Sequence, residues 1–131
     1  MSGAFTVDAS IFVSAFTPSE PAHQASKAFL RQLRQSGAPI ILPALVIVEI
    51  AAAVGLGQGK PELGLAFALE VSRLPGLTLV ALDAALAQEA AELAARYRLR
   101  GSDAVYMAVA RRFGATLITL DDVVAQVRSV I

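Results

Sequence analysis

The chain lacks cysteine, and only one of its 131 residues is a histidine. Without cysteine it has neither a disulfide framework nor a thiolate metal site. The single histidine, His23, lies on a predicted surface helix, so nothing supports Ser–His–Asp catalysis. Eleven basic residues balance eleven acidic ones, so the overall charge does not attract nucleic acid and any such binding must be local.

The N-terminus lacks a basic region followed by an apolar core, so no secretory signal is visible and we expect a cytoplasmic protein. Residues 38–57 have about the length of a membrane span and contain one charged residue, Glu49. Pro39 and Pro43 interrupt that segment and favour a short strand, and a charge at the centre of a span would be costly. We therefore expect no association with a membrane.

Short β-like apolar runs alternate with longer helical ones, and the length favours a single domain over residues 1–131. The segment 44–54 is apolar nearly all round, which predicts a buried helix that ends at the glycine-rich stretch 55–59. Strands separated by helices imply an α/β fold with a parallel sheet of four to five strands, covered on both faces. The expected strands are 4–7, 40–42, 77–82 and 116–120, with 130–131 as an edge strand, and the expected helices are 10–16, 21–35, 44–54, 62–74, 84–97, 103–113 and 123–127.

Four acidic residues lie in or beside apolar segments: Asp8, Glu49, Asp103 and Asp121. A carboxylate removed from water is costly unless it is paired, hydrogen-bonded or bound to metal. Asp8 and Asp121 both follow predicted strands, and parallel sheets bind ligands beyond the carboxyl ends of their strands. Mg²⁺ and Mn²⁺ prefer oxygen ligands and assist phosphodiester cleavage. A shared divalent cation is therefore the first hypothesis.

Each acid also has a purely structural interpretation. Asp8 could begin a turn or cap a helix, and Asp103 is favoured near a helix start by the helix dipole, with Ser102 as the cap. Glu49 would need a distant arginine or lysine as its partner. The acidic pair at 121–122 could form a solvated turn.

Two further readings concern phosphate chemistry. Arginines surround Asp103 in the sequence and could contact phosphates or form a solvated basic face: Arg96, Arg98, Arg100, Arg111 and Arg112. Phosphotransfer on Asp8 is disfavoured, because haloacid-dehalogenase-like phosphatases need an aspartate where this chain has Ser10. A response-regulator receiver needs a lysine after its last strand, and none follows Thr116.

Four ordered motifs cover almost the whole chain. They are Val-Asp-Ala-Ser at 7–10, Val-Glu-Ile at 48–50, Gly-Ser-Asp-Ala-Val-Tyr at 101–106 and Gly-Ala-Thr-Leu-Ile-Thr-Leu-Asp at 114–121. With these motifs the chain resembles the PIN-domain family, most closely the VapC-like toxin ribonucleases of type II toxin–antitoxin modules. It departs from the family at Val124, where an aromatic residue is frequent, and in its short C-terminal tail.

The resemblance implies a three-layer α/β/α domain that binds Mg²⁺ or Mn²⁺ and cleaves RNA. It also implies frequent homodimerisation and a cognate antitoxin that occupies the cleft. The implied catalytic and metal-binding residues are Asp8, Glu49, Asp103 and Asp121, with Ser10 and Thr119 as supporting hydroxyls and Asp122 as an alternative to Asp121.

The expected function is that of a metal-dependent endoribonuclease, the toxin of a VapBC-type module. One alternative is a PIN-like interaction module without catalytic activity. Another is a PIN nuclease that acts in RNA processing outside any toxin–antitoxin module.

Overall fold

The computed structural model describes residues 3–120, in which helices and short strands alternate along the chain. The predicted helix 123–127 and edge strand 130–131 lie outside the described residues. The strands are β1 (Phe5–Val7), β2 (Ile40–Pro43), β3 (Leu77–Val80) and β4 (Thr116–Ile118). The helices are α1 (Ala9–Phe16), α2 (His23–Ser36), α3 (Leu45–Gln58), α4 (Pro61–Ser72), α5 (Ala84–Tyr97) and α6 (Gly101–Phe113).

The four described strands form one parallel sheet in the order β3-β2-β1-β4. Phe5 of β1 pairs with Ile40 of β2 on one side and with Thr116 of β4 on the other. The chain moves from β1 outward to β2 and β3, and it then crosses to the opposite side of β1 to form β4. The strand order therefore reverses at β1, and the carboxyl ends of β1 and β4 form the kind of crevice in which α/β proteins bind ligands.

Alternating strand residues separate the two faces of the sheet. Phe5, Val7 and Leu42 pack in one core with α1 to α4, whereas Ile41 and Val80 pack in a second core with α5 and α6. The predicted α/β fold, with a parallel sheet between two helical layers, is thus confirmed.

Helix α3 differs from its prediction in length and in burial. It continues through Gly55 and Gly57 to Gln58, and its C-cap Gly59 adopts a left-handed conformation with a φ of 64°. Its side chains are not buried all round, because Val48 is 64% exposed and Leu56 is 85% exposed. No helix within residues 3–120 is long and apolar enough to cross a membrane.

The contact between α3 and α4 explains why the helix tolerates its first glycine. Gly55 is buried, and Gly64 of α4 lies directly against the α3 backbone. A Cβ atom at Gly64 would lie 2.5 Å from the carbonyl oxygen of Ala51 and 2.6 Å from the amide nitrogen of Gly55. The two glycines therefore let the helix backbones approach closely, and Gly55 serves packing instead of ending the helix.

Candidate active site at the carboxyl edge of the sheet

A cleft of about 410 Å³ lies at the carboxyl ends of β1 and β4. Four of the predicted site residues line it: Asp8, Ser10, Asp103 and Thr119. The remaining lining residues are Leu99, Arg100, Tyr106, Met107, Leu117 and Leu120. The sheet thus brings together side chains that are more than a hundred residues apart in sequence.

Asp8 reaches the cleft because it follows β1 directly and begins α1. It is the N-cap of α1, and its Oδ1 accepts a hydrogen bond of 3.4 Å from the backbone N–H of Ser10. Its own N–H donates to the carbonyl oxygen of Ile118 at 3.1 Å, which ties the end of β1 to the end of β4. The interpretation of Asp8 as a helix cap is therefore right, and the same side chain lines the cleft.

Asp103 lies in the first turn of α6, which begins two residues earlier than predicted. Ser102 is not the cap, because it is already inside the helix, and the N-cap position is held by Arg100 without a side-chain hydrogen bond. Instead, the Arg100 Nε donates to Asp103 Oδ2 at 3.2 Å. The Arg100 side chain is 87% exposed, so this ion pair contributes little to stability.

Glu49 projects from α3 and is held by a neutral hydroxyl, not by the distant arginine or lysine that its structural interpretation required. The Tyr106 hydroxyl donates to Glu49 Oε1 at 2.7 Å. Burial raises the pKa of Glu49 above its usual value of 4.5; the Tyr106 hydrogen bond opposes that rise, and the charges of Asp8 and Asp103 add to it. These charge effects show that three of the predicted acids share one electrostatic neighbourhood.

Tyr106 is a site residue that the sequence reasoning did not single out. It is only 2% exposed, and its hydroxyl donates to Glu49. Burial and the bond to Glu49 raise the pKa of Tyr106 far above its usual value, so the hydroxyl stays protonated at neutral pH. The signal was its position three residues after Asp103, because residues i and i+3 share a helix face.

The acidic side chains at the cleft are candidate ligands for a divalent cation. Within residues 3–120, no three acidic or histidine side chains are arranged to hold a metal ion as they stand. Asp121 and Asp122 lie outside the described residues. The available donors are nevertheless carboxylate oxygens. The negative charges of Asp8 and Asp103 raise the pKa of Glu49 by repulsion. This chemistry fits a cation such as Mg²⁺, which takes one or two carboxylates and keeps several waters.

The PIN domain family model matches residues 5–130 of this chain. Among solved structures, VapC20 of Mycobacterium tuberculosis, a sarcin-ricin loop cleaving toxin, has a TM-score of 0.68 at 20% identity, over 87% of this chain and 85% of that one. VapBC2 of Rickettsia felis, bound to a DNA fragment from its promoter, has a TM-score of 0.59 at 16% identity, over 88% of this chain and 98% of that one. These two likenesses establish the fold. No curated protein sequence matches the chain.

Proposed function

We propose that this chain, which belongs to the PIN domain family, is a metal-dependent endoribonuclease and the toxin of a VapBC-type toxin–antitoxin module. One observation carries the proposal. Asp8 and Asp103 line one cleft, and both raise the pKa of Glu49 beside it, so that three acids concentrate negative charge at the switch point of a PIN fold. We further propose that residues 1–131 form a single nuclease domain that acts in the cytoplasm.

The carboxylates of Asp8, Glu49 and Asp103 would hold Mg²⁺ or Mn²⁺, together with Asp121 from the segment after β4. Asp122 is the alternative fourth ligand. When bound, such a cation polarises a phosphoryl oxygen and activates a water molecule for attack.

The other cleft residues would bind and orient the RNA. Ser10 and Thr119 line the cleft beside the acids, where their hydroxyls would orient the scissile phosphate or the attacking water. Arg100, on the rim, would move from Asp103 to a phosphate oxygen of the RNA. Cleavage by in-line attack of water would leave a 5′-phosphate and a 3′-hydroxyl.

The test is RNA cleavage by the purified chain with Mg²⁺, with Mn²⁺ and with a chelator. Asp8→Asn should abolish the metal-dependent cleavage. Asp83→Asn is a matched control, because Asp83 also caps a helix through its side chain, accepting from Leu86 N–H at 2.8 Å, but does not line the cleft. The proposal is refuted if the wild type cleaves no faster than Asp8→Asn, or if both variants lose activity equally.

An antitoxin partner is supported by a second surface. An apolar groove of about 510 Å³ between α1, α2 and α4 includes Phe12, Phe16 and Phe67, with Lys27 and Arg31 also lining it. The apolar side chains and the positive charges suit an amphipathic, acidic segment of a partner. We propose that the antitoxin contributes such a segment, and that the R. felis VapBC2 complex is an analogue of the pair.

The neighbouring gene supplies the test of this partner. Co-expression with a small adjacent reading frame should give a stable complex with reduced ribonuclease activity. Lys27→Glu combined with Arg31→Glu should weaken that complex while leaving cleavage by the free toxin unchanged. Cleavage activity without any such partner would favour a role in RNA processing.

A homodimer is supported by apolar side chains that remain exposed on α3 and α4. Val48 is 64%, Leu56 is 85% and Leu65 is 53% exposed. Light scattering after size exclusion should give twice the mass of 13.6 kDa. Leu56→Glu should shift the protein toward monomer if this surface forms the interface.

A further inference from the structure

We propose that Tyr106 is a positioning residue whose hydroxyl holds the Glu49 carboxylate in place for metal binding. The inference rests on the proposed function, since it assumes that Glu49 is a ligand of a divalent cation. Tyr106 carries no carboxylate and is not itself a proposed metal ligand. The supporting observations are the geometry of one hydroxyl, its burial, and its lack of charge.

The Tyr106 hydroxyl links two of the helices that carry site residues. Tyr106 projects from α6 and donates to Glu49 of α3 at 2.7 Å, across 57 residues of sequence. The hydroxyl therefore holds Glu49 against α6, the helix whose first turn carries Asp103.

Burial makes this hydroxyl a rigid reference point. The Tyr106 ring belongs to the core formed with α1 to α4, although its neighbours Val105 and Val109 belong to the core on the other side of the sheet. A packed tyrosine ring has two side-chain torsions, whereas a glutamate has three and is only half-buried here. The ring thus restricts the more flexible glutamate, and not the reverse.

The chemical type of the partner also matters. A lysine or arginine bonded to Glu49 would neutralise it and compete with a metal ion for its oxygens. A hydroxyl orients the carboxylate without adding positive charge, so the negative charge that attracts a cation is kept. The hydrogen bond engages Oε1, which leaves the second oxygen for coordination. Partners that orient metal ligands in this way typically contribute about 10–100-fold to metal affinity.

Tyr106→Phe removes the hydroxyl and keeps the ring. Tyr97→Phe is the matched control, because Tyr97 is the other tyrosine of the chain, is 53% exposed and does not line the cleft. Binding of Mn²⁺ to the full, metal-free chain is measured by electron paramagnetic resonance. Tyr106→Phe should weaken Mn²⁺ binding by about 10–100-fold, whereas Tyr97→Phe should bind like the wild type.

Cleavage at increasing Mn²⁺ concentration separates positioning from a general structural role. If Tyr106 positions a ligand, saturating Mn²⁺ should restore much of the activity of Tyr106→Phe. Activity that stays low when the metal site is full would overturn the proposal, as would an unchanged Mn²⁺ affinity. Failure of the wild type itself to bind Mn²⁺ would instead overturn the proposed function, and the positioning role with it.

A measurement on the wild type covers the case in which Tyr106→Phe does not fold. The buried hydroxyl proton of Tyr106 can be followed by NMR while Mg²⁺ is added. Its contact with Glu49 should persist when the site is saturated, and its signal should shift over the same Mg²⁺ range as the Glu49 signals. Loss of that contact on Mg²⁺ binding would overturn the proposal.

Discussion

Helix α3 takes part in two regions that are built in opposite ways. At Glu49 it lies beside the acid cleft, where the charges of Asp8 and Asp103 raise the pKa of Glu49 and one hydrogen bond joins Glu49 to Tyr106. At Ala51 and Gly55 it lies against Gly64 of α4, with no space for even one added carbon. The comparison predicts that the two regions serve different purposes, charge in one and close packing in the other. Cleft variants should therefore change activity, and variants of the helix contact should change stability.

The largest expected effect is that of Asp103→Asn on RNA cleavage. Loss of one proposed carboxylate ligand should remove about 3 kcal/mol of transition-state stabilisation, which slows cleavage more than about 100-fold. The metal-free variant should be at least as stable as the wild type, because the charge of Asp103 opposes ionisation of Glu49. Single-turnover cleavage and urea unfolding measure the two quantities. Parallel losses of activity and stability would break the proposed division between the two regions.

The second prediction concerns Gly64→Ala in the helix contact. The added Cβ would meet backbone atoms at 2.5–2.9 Å, so the helices must separate, at a cost of about 1–3 kcal/mol. Cleavage per folded molecule should be unchanged.

Gly57→Ala is the matched control for Gly64→Ala. Gly57 also lies in a helix, but an added Cβ there meets nothing within 4 Å. This variant should be stabilised by about 0.5–1 kcal/mol through helix propensity. Equal unfolding free energies for the two variants would mean that the close contact does not hold α3 and α4 together.

The architecture could be predicted from the sequence because it depends on periodicity and on strand order. Asp8 was expected at this edge because residues that follow parallel strands meet there, whereas Thr119 was assigned to the site by the family resemblance, and both line the cleft. Glu49 lies on a helix, so the rule for residues that follow parallel strands does not predict its position. Its structural interpretation required a cationic partner, but the partner in the structure is the neutral hydroxyl of Tyr106.

The errors arose where tertiary contacts override local preference. Gly55 was expected to end a helix, since glycine is a poor helix former, but its lack of a side chain admits α4 instead. Tyr106 was included in a motif but given no role, because its partner Glu49 is 57 residues away. Helix periodicity predicts the face of a residue, and it cannot predict which distant element will pack against that face.

The third prediction uses the pH dependence of stability to test the cleft. The pKa of Glu49 is raised above 4.5 in the folded protein, so the folded state holds that proton more tightly than the unfolded chain. Its contribution to stability is therefore greatest below pH 4.5 and is lost as the pH rises through the raised value. Relative to Glu49→Gln, the metal-free wild type should lose stability over this range. Parallel curves of unfolding free energy against pH would contradict the electrostatic cost assigned to the cleft.

The smallest expected effect is that of Arg100→Ala, which compares metal binding with RNA binding at the rim of the cleft. The ion pair with Asp103 is exposed, so its loss should change the unfolding free energy by less than about 1 kcal/mol. Arg100 nevertheless engages Oδ2 of Asp103, a proposed metal ligand. Mn²⁺ should therefore bind the variant slightly more tightly, while RNA should bind more weakly because the proposed phosphate contact is lost. Arg112→Ala is the control, since it breaks a surface ion pair with Glu89 that lies outside the cleft. Calorimetric titration measures Mn²⁺ binding, and fluorescence anisotropy measures RNA binding. If the variant binds both ligands more weakly, Arg100 supports the shape of the site instead of competing with the metal.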